Sequence, residues 1–148
     1  VSKEEIGFLP GDIKEKLDPW LAPIYGNFNL LLVKHLVQEL FDSDVVEIVP
    51  VSFMRGRTFP KAAIIVDECQ NLEDDQTLMI LQRIGRGSKM MFCGDAAQTD
   101  LKRKSRSGLG YLASLADKIK GLGIVELLSN HRHPILDEII PMYESKNK

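Results

Sequence analysis

No G-x-x-x-x-G-K-[ST] string occurs in the 148 residues, so the chain by itself lacks the backbone cradle and the lysine with which a P-loop grips nucleotide phosphates. The nearest glycine-rich stretch, Ile84-Gly85-Arg86-Gly87-Ser88-Lys89, has the wrong spacing and reads as a turn between a helix and a strand. Long apolar runs are missing too: none approaches the roughly 18 residues of a membrane span. Val1-Ser2-Lys3-Glu4-Glu5 has none of the features of a signal peptide. Cysteine is scarce, with only Cys69 and Cys93, and these show neither C-x-x-C spacing nor a neighbouring metal-ligand pattern. These absences point to a reduced, cytoplasmic chain, in the host cytoplasm if the protein is viral, with no membrane partner. Excess charge is also lacking: a formal net charge of −2 gives no global field that demands a nucleic acid, so any such contact must be a local patch. The chain opens on Val1 rather than methionine, which suits a fragment, a processed product or an interrupted gene.

The hydrophobic content of 44% is enough for an ordinary globular core, and the length suits one domain, residues 1–148. The first third reads as short helices: Asp12 caps a turn through Leu17, Asp18-Pro19 starts a second helix, and Leu30, Val33, Leu36, Val37 and Leu40 recur at helical spacing up to Phe41. Beyond residue 45, apolar runs at 45–49, 62–66, 89–93 and 123–127 alternate with helical patterns at 73–84, 108–119 and 134–143. That alternation predicts an α/β fold with a parallel sheet covered on both faces, its strands buried on both sides. No internal repeat interrupts it.

Two of the runs end in chemistry. Ile64-Ile65-Val66 delivers Asp67-Glu68-Cys69-Gln70, and Met90-Met91-Phe92-Cys93 delivers Gly94-Asp95-Ala96-Ala97-Gln98. The carboxyl ends of parallel strands are where open α/β sheets bind ligands. A nucleotide-triphosphate site needs one carboxylate for Mg²⁺, one to position a water and a polar group that senses the γ-phosphate. If the strand continues, Asp67 and Glu68 point to opposite faces, so that one meets a metal and the other a water. Asp100 is a further carboxylate in reach, better read as a turn residue.

Cations lie nearby. Arg132, in Asn130-His131-Arg132, is a phosphate-facing guanidinium or a surface ion pair, and the spacing of His131 and His133 is poor for joint metal ligation. Arg55 and Arg57 flank Gly56 in the loop before the second run, and Lys102, Arg103, Lys104 and Arg106 follow the second acidic motif. Both groups are candidates for a nucleic-acid backbone or for plain solvated surface. Trp20, Tyr25 and Phe28 are aromatics that either stack on bases or fill the core.

Taken together, these strings resemble the PhoH family of ATP-binding proteins, built on a RecA-like domain related to the motor core of superfamily 1 helicases. The resemblance runs through Gly7-Phe8-Leu9-Pro10-Gly11-Asp12, Phe53-Met54-Arg55-Gly56-Arg57-Thr58, the DECQ string at 67–70, Arg83-Ile84-Gly85, the GDAAQTDL string at 94–101, Ser107-Gly108-Leu109 and Arg132-His133-Pro134. It covers nearly the whole chain. It implies a parallel-sheet, three-layer α/β/α P-loop core, N-terminally incomplete, that takes ATP and Mg²⁺ and acts on RNA or single-stranded DNA. Asp67 would then coordinate Mg²⁺, Glu68 act as base, Gln98 and Arg132 meet the γ-phosphate, and Gln70, Gly94 and Asp95 line the nucleotide site. The family's P-loop lies upstream of Gly7, so a P-loop-bearing chain or an N-terminal segment is an implied partner, and homo-oligomerisation stays open. Cys69 replaces the commoner alanine. Two alternatives remain: a non-catalytic remnant that binds nucleic acid or protein, and a metal-dependent nuclease using Asp67, Glu68 and Asp95.

Overall fold

The β-branched run before Asp67 and the Lys89-Met90-Met91-Phe92 run before Gly94 form two strands, β1 (Ala63–Val66) and β2 (Lys89–Phe92). They pair in parallel, Ala63 opposite Lys89 and Val66 opposite Phe92. Parallel neighbours need a crossover, supplied here by the segment that carries helix α3 (Asp74–Leu81). The described residues also form α1 (Ile13–Leu31) and α2 (Lys34–Asp42) before the strands in sequence and α4 (Gly108–Ala113) and α5 (Ile135–Lys146) after them. The computed structural model describes residues 13–101, 107–128, 131 and 133–146, with side chains from residue 21 onward except that of Glu144. The chain divides into two compact units, Val1–Gly110 and Tyr111–Lys148.

In the first unit, the core lies on one face of β1 and β2. Val66 is buried with Met54, Cys69, Leu72 and Ile80, and Ile64, Met90 and Phe92 pack against that cluster along with Met79 and Leu109. Ile80, fully buried, anchors α3 to the sheet. The helix starts on a reciprocal capping box, Gln76 Oε1 accepting from Glu73 N at 3.0 Å, and carries Asp74 and Asp75 in its first turn, where the helix dipole favours anions.

The other face of the pair is open, and this corrects the expectation of strands buried on both sides. Ile65 is 65% exposed and Met91 47%. Apolar composition identified the strands but does not say how many layers cover them. The expected strands at 45–49 and 123–127 are likewise absent among the described residues: both stretches are β-branched, but neither has a ladder partner. Val45, Ile124, Val125 and Leu127 are exposed. A strand exists only where a neighbour takes its N–H and C=O groups, a condition that composition cannot supply.

The helical third also differs. α1 keeps helical backbone through Pro19 and Pro23, each removing one N–H donor without ending the helix, where a break at Asp18-Pro19 was expected. The break falls instead at Leu32 and Val33, Val33 being extended at φ −71 and ψ 145. The turn closes a helical hairpin in which Phe41 meets Tyr25 at 4.5 Å and Phe28 edge-on at 5.7 Å between ring centroids. Tyr25 and Phe28 are therefore packing residues here, while the side chain of Trp20 lies outside the described set.

Helix α4, which begins in the first unit at Gly108, gives way to turns after Ala113, short of the expected end at 119. α5 forms close to its expected bounds, His133 Nδ1 accepting from Ile135 N at its start. No helix among the described residues is long and apolar enough to cross a membrane.

Candidate functional site

Past Val66 the strand does not continue, so the expected alternation of Asp67 and Glu68 across two faces fails. Glu68 takes a left-handed backbone, φ 52 and ψ 33, which a non-glycine residue holds only when its surroundings impose it. The bend lets Asp67 Oδ1 accept from Glu68 N at 3.0 Å. A single 3-10 turn, Cys69–Asn71, then drops Cys69 and Gln70 into the interior, while both carboxylates stay exposed.

Opposite this turn, β2 leads into Gly94 and Asp95. Cys93 N donates to Val66 O at 2.8 Å, and Cys69 N to Cys93 O at 3.0 Å, so the two acidic motifs begin side by side at the carboxyl end of the sheet. Asp95 caps the 3-10 turn Ala96–Gln98, Oδ1 accepting from Ala97 N at 2.8 Å and Oδ2 from Gln98 Nε2 at 3.0 Å. Gln98 is exposed and its amide faces Asp95. Gly94 permits the close approach: a Cβ there would lie 2.5 Å from Gln70 Oε1 and 3.0 Å from Cys69 Sγ. No larger residue fits without moving a buried side chain.

Gln70 spans the two motifs. Its Nε2 donates to Glu68 Oε2 at 2.6 Å and its Oε1 accepts from Asp95 N at 3.3 Å. Thr99 Oγ1 donates to Gln70 O at 3.0 Å, and Asp100 N donates to Asn71 Oδ1 at 2.8 Å. Asp100, expected as a turn residue, lies instead in the irregular stretch after the 3-10 turn Ala96–Gln98, where Asn71 holds its backbone. Asn71 has no signal of its own in the sequence, and Thr99 is marked there only as a member of the string at 94–101.

The structure therefore brings Asp67, Glu68, Gln70, Gly94, Asp95 and Gln98 together. Among the described residues, no group of three His, Cys, Asp or Glu side chains is arranged to hold a metal ion, so Asp67, Glu68 and Asp95 do not gather as a two-metal nuclease site would need. An exposed Asp67 carboxylate is nonetheless a hard oxygen donor of the kind Mg²⁺ takes, one or two protein carboxylates with waters and phosphates completing the shell. Burial pushes the Cys69 thiol up to about 11, with Cys93, Asp67 and Glu68 adding to the shift and a backbone hydrogen bond opposing it.

The first basic loop splits. Arg55 is exposed. Arg57 forks onto Glu47, its two terminal nitrogens 2.8 Å from the two carboxylate oxygens, and lies 4.7 Å over the Phe59 ring. The hydrogen bond from Arg57 holds the Glu47 carboxyl below its usual range; partial burial opposes this and the opposite charge adds to it. The string after α3 is a clamp rather than a phosphate loop: Arg83 donates to Arg57 O at 3.3 Å, and Ser88 Oγ accepts from Ala62 N at 3.0 Å while donating to Phe59 O. Arg132, Asn130, Lys102, Arg103, Lys104 and Arg106 lie outside the described residues, as does Gly7-Phe8-Leu9-Pro10-Gly11-Asp12.

Residues 1–144 match the family model described as "PhoH-like protein". The chain is 40% identical over 146 residues to the "PhoH-like protein" of Bacillus subtilis, covering 97% of this chain and 46% of that one. It is 38% identical over 143 residues to the "PhoH-like protein" of Synechocystis, covering 95% and 44%. With the "Protein PhoH" of Escherichia coli it shares 39% identity over 124 residues, 82% of this chain and 35% of that one. The chain thus spans less than half the length of these curated relatives.

Proposed function

The chain belongs to the PhoH-like protein family, and from that premise we propose that it carries the hydrolytic half of an ATP-driven, helicase-like site acting on RNA or single-stranded DNA. The site would sit on a RecA-like core whose phosphate cradle comes from outside these 148 residues. The observation that supports this reading best is the pairing of the Asp67–Gln70 and Gly94–Gln98 motifs at the carboxyl ends of adjacent parallel strands, tied by Gln70.

In this reading Asp67 would hold Mg²⁺, which when bound would supply the positive charge that offsets the phosphates' negative charge. Glu68 takes a proton from the attacking water; Gln70 occupies its Oε2, and Oε1 is the atom that receives the proton. Gln98 turns from Asp95 towards the γ-phosphate when nucleotide binds, Asp95 keeping its hold on Ala97 N. Arg132 opposes the charge that builds on the transferred group. Lys102, Arg103, Lys104 and Arg106 follow this loop directly in sequence, and with Arg55 they are the cations offered to a nucleic-acid backbone.

Calorimetric titration with Mg-ATP tests the division of labour. The 148-residue chain alone is expected to bind weakly or not at all. The same chain joined to the preceding portion of the Bacillus subtilis relative is expected to bind. Low-micromolar affinity in the chain alone, or none in the joined protein, would contradict the proposal.

A further inference from the structure

Glutamine is ordinarily a surface residue, yet Gln70 is only 2% exposed. Both ends of its amide are committed, Nε2 to Glu68 and Oε1 to the backbone of Asp95. Its main-chain carbonyl accepts from Thr99, and Asn71 next to it accepts from Asp100. Glu68, the residue it holds, has a left-handed backbone, φ 52, as do Asp44 and Lys61 away from the site. The family resemblance places this glutamine among the residues that line the nucleotide site. A buried amide with its donor and acceptor both engaged is suited to something else.

We propose that Gln70 is a positioning residue: it fixes the Glu68 carboxylate and ties it to the 94–101 loop, so that engagement of Asp95 or Gln98 by phosphate moves the base. The inference deepens the proposed function and rests on Glu68 being that base. Three features fit it. A neutral amide donates to a carboxylate without adding charge beside the metal. A left-handed glutamate, which needs its surroundings to hold it, gains a short donor contact on its side chain. The bond from Asp95 N, at 3.3 Å the longest of those that join the two loops, is the one a shift of that loop would break first. Thr99 and Asn71 keep the loops together when it does.

The first arm of the test needs no turnover. In the ¹⁵N-labelled 148-residue chain, the Gln70 side-chain amide should exchange slowly with solvent, and Glu68→Ala should shift it together with the Asp95 backbone amide. Exchange at the rate of a solvated glutamine, or an Asp95 amide that ignores Glu68→Ala, overturns the proposal. The second arm uses the protein with its P-loop portion joined. Gln70→Met removes both side-chain bonds without adding charge, and Gln70→Leu does the same with a branched side chain of similar volume. Each should lower kcat on the order of tenfold to a hundredfold, the scale set by misplacing a reacting group, while KM for ATP stays within about twofold of wild type, since neither bond touches substrate. If Gln70→Met does not fold, Gln70→Leu decides. Wild-type kcat in the Gln70 variants beside a Glu68→Gln that has lost turnover overturns positioning. Full turnover in Glu68→Gln instead overturns the assignment of the base, and the amide arm still judges the tie between the loops.

Discussion

Gly94→Ala perturbs the site through a single methyl group. The new Cβ would meet Gln70 Oε1 at 2.5 Å, Cys69 Sγ at 3.0 Å and Gln70 N at 3.0 Å. Gln70 and Cys69 are both buried, at 2% and 1% exposure, so neither side chain has open space to swing into. Overpacking of this kind costs about 1 to 3 kcal/mol. Expelling the Gln70 amide from Asp95 N adds about 1 kcal/mol more. The loss of glycine's freedom in the unfolded chain returns about 0.4 to 1 kcal/mol, leaving a net destabilisation of about 1 to 3.6 kcal/mol. With a urea m-value of about 1 to 3 kcal/mol per molar for a small protein, the unfolding midpoint should fall by roughly 1 M. Gly110→Ala is the control, because nothing lies within 4 Å of its Cβ position; its midpoint should hold or rise. Gln70→Ala combined with Gly94→Ala should cost less than the sum, since trimming Gln70 removes the nearest clash. A Gly94→Ala midpoint within about 0.2 M of wild type would refute the packing argument.

The two thiols should separate cleanly: exposed Cys93 reacts with a thiol reagent in the folded protein, while Cys69, buried with its pKa near 11, reacts only on unfolding. Two fast thiols per chain would contradict the packing at the end of β1. The Glu47–Arg57 pair lowers the folded-state pKa of Glu47, so its contribution is present above the ordinary carboxylate range and lost as pH falls through it. Glu47→Gln should therefore flatten the fall in thermal midpoint between about pH 5 and pH 3 relative to wild type, and identical profiles would show the pair to be inert. For the basic cluster, Arg103→Ala with Lys104→Ala should flatten the salt dependence of single-stranded RNA binding, the log K against log [salt] slope changing by roughly 1.4 for two lost phosphate contacts. Equal slopes by fluorescence anisotropy would reduce the cluster to solvated surface.

The chemistry was legible where a short apolar run ended in charged residues. Ala63–Val66 and Lys89–Phe92 were visible as strands, and so were the motifs they deliver, because four β-compatible residues followed by Asp-Glu or Gly-Asp leave few other readings. The number of strands was not legible. Residues 45–49 and 123–127 are also mostly apolar and rich in β-branched side chains, but pairing depends on a partner's backbone, which local sequence does not encode. The bend at Glu68 was equally hidden: nothing in Asp-Glu-Cys-Gln announces a left-handed glutamate, and the extended-chain assumption sent the two acids to opposite faces. Gln70 was noticed as an amide near the site, but its burial and its two partners follow from the 3-10 turn and from the space above Gly94. At Pro19 the local rule for a helix start was overridden, while the break appeared at Leu32 and Val33, where no proline or glycine marks it.

The most direct measurement is steady-state ATP turnover by the chain joined to the preceding portion of the Bacillus subtilis relative, comparing wild type with Glu68→Gln at saturating Mg-ATP. The substitution keeps the shape and the hydrogen-bonding reach of the side chain and deletes only its ability to take a proton. If Glu68 is the base, Glu68→Gln binds Mg-ATP as wild type does and loses about 10² to 10⁴ in kcat. Turnover within about a factor of two of wild type would contradict the account, because a general base typically contributes far more than that.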